Sequence, residues 1–274
     1  MKISIVTTCL NADKTIKQTI DSILNQKPLV QTLPGQSQCL KTPTSTFEIE
    51  YIITDAGSID KTLSIIKSYG DKIKLIDAKG LNQSEGINLG LKNATGEIIA
   101  FLNADDVYEQ GAFDIVVNAF CKNKDRKWLI GKCKIINENN KEIYKFMTKY
   151  KNFFLKRYSY FLLLSENFIS QPAVFWKREI MDEFGYFDEH EHYVMDYEYW
   201  LRIGKKYKPI FIDKYLASFR RMQSTKSNTG FYKQFKDDKR VAIKYATKYK
   251  NYLAIFCKYL NYFKTIIIYS FIIK

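Results

Sequence analysis

Strand-like and helix-like patterns alternate four times within the first 105 residues, and that alternation limits the fold more than any other feature of the chain. Lys2–Thr8 is a short β-branched run bounded by polar residues. Asn11-Ala12-Asp13-Lys14 reads as a helix start, after which Ile16, Ile20, Ile23 and Leu24 recur at helical spacing. Phe47–Thr54 and Lys72–Asp77 read as strands two and three, and Ser58 or Asp60 is placed to cap the helix between them. Ser84–Ala94 has helical periodicity. Glu97–Leu102 is a nearly continuous apolar run, as expected of a strand covered on both faces. Pro28–Thr46, with three prolines and a glycine, reads as a long loop.

Such a pattern predicts an α/β fold, a mostly parallel sheet with helices on both faces. Ligands bind such sheets beyond the carboxyl ends of the strands. The polar groups that follow the strands are Thr7 and Asn11, then Asp55, then Asn103, Asp105 and Asp106. Strand order alone therefore predicts that these three clusters share one edge. Past residue 107 the reading is coarser. It gives a helix over Phe113–Phe120, a β-hairpin in Trp128–Glu142 turning at Asn139-Asn140, a strand at Ala173–Trp176 and a helix over Asp196–Ile203. Lys151–Leu164 is crowded with aromatics.

Composition removes several function classes. Two histidines, His190 and His192, exclude a three-histidine metal site. The five cysteines are scattered without a CxxC pair, and no secretory apolar core follows Met1. The expectation is therefore reduced thiols and a cytoplasmic protein. The formal charge of +14 is uneven: residues 231–274 hold ten Lys/Arg against two Asp, a net +8, interleaved with twelve aromatics. Basic and aromatic side chains together suit an anionic surface such as lipid headgroups or nucleic acid. The final apolar run, 266–273, is far shorter than the ~20 residues needed to span a bilayer. Three outcomes stay open for this tail: a membrane surface, the body of the protein, or a partner chain. Recognition motifs for nucleic acid are missing, so no nucleic-acid partner is expected.

The acids carry the candidate chemistry. Asp105, with Asp106 and Asn103 beside it, offers the oxygen ligands that Mg²⁺ or Mn²⁺ takes together with a diphosphate; the alternative is a helix cap. Asp55 is placed either to accept a base N–H or to form a turn ahead of Gly57. Asp196 is a general-base candidate where histidines are so few, or else a simple N-cap. Its position in the first turn of a helix should stabilise its anion and lower its pKa.

These residues fall in segments that resemble, in order, the family 2 glycosyltransferases of bacteria, enzymes of the Rossmann-like GT-A fold. The segments are SIVTTCLNADKTIKQTIDSILNQ (4–26), EYIITDAGSIDKT (50–62), QSEGINLGLKNATGEIIAFLNADDVY (83–108), QPAVFWKREIMDEFGYFDEH (171–190), MDYEYWLRI (195–203) and FRRMQSTKS (219–227). The resemblance implies transfer of a sugar, with inversion, from a nucleotide-diphosphate donor (UDP by expectation) to a hydroxyl of a glycan or lipid-linked acceptor in cell-surface polysaccharide synthesis. It implies a divalent metal, Mn²⁺ or Mg²⁺. Asp105 becomes the principal metal ligand within Asn103-Ala104-Asp105, with Asp106 in support, and Asp196 the catalytic base. Thr7, Asn11, Asp13, Asp55 and Asn88 join Asn103, Ala104 and Asp105 around the nucleotide-sugar, and Arg220, Arg221 and Lys226 face the diphosphate or acceptor. Leu10 stands where an aromatic often stacks on the base, and Met222 where a histidine is frequent. The implied organisation is a catalytic domain over 1–228, donor half 1–107 and acceptor half 108–228. A helical extension over 229–274 follows, through which the protein could sit at the inner face of the cell membrane. Two rival readings keep other classes in view: a nucleotide-sugar-binding protein without transfer activity, and a basic nucleic-acid-binding protein.

Overall fold

The computed structural model describes residues 1–26, 47–222 and 231–272. The Pro28–Thr46 loop and Lys226 lie outside them. The four early strands form within two residues of their expected ends: β1 (Lys2–Cys9), β2 (Glu48–Asp55), β3 (Lys74–Asp77) and β4 (Ile98–Phe101). All four are parallel, in the order β3-β2-β1-β4, and every residue of β4 is buried. Helices α1 (Ile16–Leu24), α2 (Thr62–Lys67) and α3 (Gln83–Lys92) complete the alternation. α3 starts at Gln83 because Asn82 and Glu85 form a reciprocal capping box, each side chain accepting the other's amide. Its Gly90 packs directly on β1, where an added Cβ would lie 2.4 Å from Val6 Cγ1.

The second half continues the same sheet in mixed direction. Its elements are β5 (Val107–Tyr108), α4 (Ala112–Lys122), β6 (Trp128–Ile136), α5 (Lys145–Lys156), α6 (Tyr160–Ser165), β7 (Val174–Lys177), α7 (Glu179–Phe184), α8 (Met195–Gly204) and β8 (Ile210–Arg220). The eight strands run β3-β2-β1-β4-β7-β6-β8-β5. The expected hairpin shrinks to one isolated bridge, Ile136–Glu142, and β6 instead pairs antiparallel with β7 and parallel with β8. An apolar layer covers each face of the sheet. One is centred on Trp128, Trp176 and Trp200, with the first and third stacked at 5.8 Å, and the other lies under α1 and α4.

The C-terminal extension is two helices, α9 (Phe231–Lys248) and α10 (Tyr252–Ile272), packed on each other and on α6 and α8. Val241, Ala242, Tyr245, Ala246 and Ala254 are buried in that contact. Polar ties fix it: the Arg240 guanidinium pairs with both Glu191 oxygens, the Tyr245 hydroxyl donates to Glu198, and Asn261 Nδ2 donates to the Ser165 carbonyl at 3.1 Å. One of the three outcomes open for this tail, contact with the body, is therefore realised by its inner face.

Candidate active site

A cleft of about 1130 Å³ opens beyond the carboxyl ends of β1 and β4. Its walls come from the loop after β1, the turn after β4, α5, the segments before β7 and α8, the end of β8, and both helices of the extension. The site therefore draws on residues from Thr8 to Ile268.

The donor-side loops are stitched to one another. Asn11, whose backbone is left-handed at φ 51°, donates its amide to Ser58 Oγ (2.9 Å) and accepts the Ile59 amide on Oδ1 (2.9 Å). Asp13 donates its amide to Asp60 Oδ2, and both Asn11 and Asp13 line the cleft. Asp55 does not. It is 4% exposed, and its carboxylate accepts the Gly57 and Ser58 amides, the Ser58 hydroxyl and the Cys9 thiol. Burial pushes its pKa up, yet these four donors, Ser58 foremost, outweigh burial and hold it below the usual carboxylate value. The acid assigned from sequence to reading the base is thus committed to shaping the loop, the turn alternative weighed for it. Thr7 is likewise fully buried, accepting the Tyr51 hydroxyl, while its neighbour Thr8 lines the cleft. Strand side chains alternate faces, so the cleft receives only one of the pair.

The turn after β4 divides its acids in the same way. Asn103, Ala104 and Asp105 line the cleft. Asn103 Oδ1 accepts from Gln83 Nε2 at 2.9 Å, and the Ala104 carbonyl accepts from Thr19. Asp106 is completely buried below the turn, where it accepts the Arg220 amide (2.8 Å) and Asn103 Nδ2 (3.4 Å). That position corrects its assignment as a second metal ligand: its oxygens face protein, not the cleft. Desolvation and the neighbouring Asp105 charge both push its pKa up. Asp105 is also raised, by desolvation, against the pull of Arg220, and no other described residue donates a hydrogen bond to its carboxylate.

Arg220 is corrected too. It is 1% exposed, and its guanidinium donates to the carbonyls of Asp105, Asn137 and Glu138, to Asn140 Oδ1 and to Gln18 Oε1. These bonds tie the end of β8 to the Asp105-Asp106 turn, to the turn after β6 and to α1, and the buried group does not line the cleft. Arg221 instead lines the cleft, its guanidinium 4.9 Å from the centre of the Tyr144 ring. Asn88 is the third correction. It is buried away from the cleft, bonded to the Phe187 carbonyl and amide and to Glu189, so that it clamps α3 to the segment after α7.

Asp196 also lines the cleft. Its Oδ1 accepts the Tyr197 amide at 2.8 Å. Desolvation raises its pKa, opposed by that amide and by the Lys151 charge. The expected lowering at a helix start is thus overturned, because burial removes more stabilisation from the anion than the first turn supplies. The same cleft is lined by Lys151 and Glu166, from the Lys151–Phe168 stretch that the resemblance assigns to the acceptor face, and by Asp238, Asn261 and Lys264, which sequence reading did not single out. Glu166 accepts from the Tyr150 hydroxyl (2.6 Å) and from Lys264 (3.2 Å), and buried Lys258 pairs with Asp238. Their segments carry no catalytic spacing, and only folding brings them together. Leu10 overhangs the donor end, 57% exposed. His192 stands on the rim, and His190 does not line the cleft.

Residues 4–185 match the family model described as glycosyl transferase family 2, so the chain belongs to that family and is a glycosyltransferase. Among curated relatives, an uncharacterized glycosyltransferase of Rickettsia typhi is 26% identical over 79% of this chain and 73% of its own length. WfgD of Escherichia coli, a UDP-Glc:α-D-GlcNAc-diphosphoundecaprenol β-1,3-glucosyltransferase, is 27% identical over 74% of this chain and 70% of its own. Among solved structures, TarS of S. aureus in complex with UDP-GlcNAc superposes with a TM-score of 0.62 at 18% identity, covering 89% of this chain and 66% of that one. A mannosyltransferase of Pyrobaculum calidifontis in complex with GDP-Man and Mn²⁺ gives 0.59 at 15% identity, covering 90% and 63%. The chain thus spans just under two thirds of these solved chains, and the likeness to them establishes the GT-A-type fold.

Proposed function

We propose that the cleft transfers a sugar, with inversion, from a nucleoside-diphosphate donor to a hydroxyl of a lipid-linked glycan. The observation that carries this reading is the placement of two under-compensated carboxylates, Asp105 and Asp196, on the walls of one cleft large enough for both substrates. The donor lies along the loop after β1, with its base near Leu10, Asn11 and Ala56 and its diphosphate near Asp105 and Arg221. Asp55 and Asn88 act behind this surface, by shaping the loop and by fixing α3. UDP is the favoured nucleotide, on the strength of the UDP-sugar relatives.

Asp105 fits a divalent cation, because its carboxylate lines the cleft and accepts from no other described residue. No group of three acidic, histidine or cysteine side chains able to hold a metal occurs among the described residues. One carboxylate with a substrate diphosphate and water is the coordination that Mg²⁺ accepts. Mn²⁺ or Mg²⁺ there would offset the negative charge that grows on the departing diphosphate. Asp196 holds the acceptor: its carboxylate takes the proton of the attacking hydroxyl as that oxygen bonds to the anomeric carbon and the bond to the diphosphate breaks. Its raised pKa suits a base that must hold a proton transiently. Asn261 and Glu166 offer hydrogen bonds to acceptor hydroxyls, and Lys151 keeps the Asp196 anion accessible.

A thermal-shift and hydrolysis screen of nucleotide-sugars, with and without Mn²⁺, tests the reading. The hit should vanish in Asp105→Asn and persist in Asp196→Asn, while transfer is lost in both. Full turnover in both variants would refute the site.

A further inference from the structure

We propose that the outward face of α10 docks on an anionic lipid bilayer, so that a lipid-linked acceptor meets the cleft lined by the same helix's inward face. The second clause rests on the transfer reading above; the docking surface does not. Tyr252, Phe256, Leu260, Phe263 and Ile267 recur at steps of four, four, three and four and form one stripe along the helix. Phe256 is 60% exposed, Phe263 59% and Ile267 58%. More than half of the large apolar side chains exposed among the described residues sit on α10. A helix that ends its packing at solvent normally turns a polar face outward. This one reverses the rule: its inward face carries Lys258, Asn261 and Lys264, which line the cleft, and its outward face is greasy. Continuous exposed apolar surface on that scale marks a contact surface.

Charge decides what covers it. Exposed Lys244, Lys248 and Lys250 lie on α9 and the turn leading into α10, and Lys239 stands 5.1 Å from the centre of the Tyr259 ring. A second copy of this chain would bring the same net +8 against itself. Anionic headgroups would meet those lysines while the apolar stripe enters the acyl boundary, the arrangement of an interfacial helix that lies on a membrane. Among the described residues no helix is long and apolar enough to cross one. The polar inward face and the apolar outward face are two sides of one helix. A bilayer under the second therefore holds any acceptor attached to lipid within a helix diameter, ~10 Å, of the first.

Flotation of the full chain tests this with vesicles of phosphatidylglycerol and phosphatidylcholine, compared with phosphatidylcholine alone. The wild type should float with the anionic vesicles at low salt. Phe256→Glu/Leu260→Glu/Phe263→Glu should reduce partition by about a thousandfold or more, since each large apolar side chain withdrawn from the bilayer removes about a decade. None of the three lines the cleft, so donor hydrolysis and the melting profile should hold. Lys244→Gln/Lys248→Gln/Lys250→Gln, which leaves the apolar stripe intact, should abolish the preference for anionic vesicles. A wild type that stays in the supernatant, or undiminished flotation of both triple variants, overturns the proposal. So does a wild-type dimer by sedimentation that the Glu variant dissolves. Flotation of a wild type that hydrolyses no donor leaves the docking surface standing and removes the transfer reading instead.

Discussion

The layer just beneath the cleft floor and the lining above it hold the same kinds of side chain in opposite states. Below the floor, Asp55, Arg220 and Asn88 are held by several hydrogen bonds each to amides, carbonyls and side chains of the fold, and Asp106 accepts the Arg220 amide. Above it, Asp105 accepts nothing from another described residue, and Asp196 accepts from no other described residue than Tyr197. Satisfied polar groups hold a structure together, whereas under-satisfied ones have capacity left for a ligand. Removal of a group below the floor should therefore cost stability. Removal of one above it should cost activity and can even stabilise.

The largest expected effect tests the lining. Asp196→Asn should lower transfer by ~10²–10⁴-fold, the range of a lost general base, with donor binding intact. The same variant should melt higher than wild type at neutral pH. The sign follows from the raised pKa: the unfolded chain releases this proton first, so stability is full below the unfolded pKa and is lost as pH rises through the folded one. The advantage of Asn should thus close as pH falls below the ordinary carboxylate range. A lower melting point at neutral pH would break the contrast between the two layers.

Arg220 and Arg221 test both layers at once. Arg220→Met leaves five acceptors without their donor and removes the positive charge near buried Asp106, and should cost ~3–5 kcal/mol in urea unfolding. Arg221→Met should stay within ~0.5 kcal/mol of wild type and instead weaken donor binding by calorimetry. Next in size, Asp106→Ala should cost ~1–3 kcal/mol by leaving the Arg220 amide unpaired, while Mn²⁺-dependent donor binding survives. The smallest effect concerns pH. Asp196 works deprotonated, so kcat/KM should fall as pH drops through its raised pKa. Lys151→Met, which removes a charge that lowers that pKa, should move this limb to higher pH.

Particular elements explain why part of the molecule is legible in sequence. β1 to β4 are short, pair with one another in parallel, and the first three are each followed by a helix, so periodicity alone finds them. β8 escapes the same reading. Its run Ile210–Arg220 carries Asp213 and Lys214 at its centre, where the pairing with β6 shifts register between Gly131 and Cys133 and interrupts the alternation that marks a strand. The hairpin expected around Asn139-Asn140 fails because β6 finds better partners in β7 and β8, much farther along the chain. The acceptor wall escapes as well: Glu166, Asp238 and Asn261 carry no motif and meet only through the docking of α9 and α10.

By itself the sequence determined that an α/β sheet would gather acids beyond its strand ends, and which short segments would supply them. It could not say which member of each adjacent pair would face the ligand. Thr7 and Thr8, Asp105 and Asp106, and Arg220 and Arg221 each divide between floor and lining. Neighbouring residues in a strand or tight turn point to opposite sides, and only the packing of distant elements decides which side is the cleft.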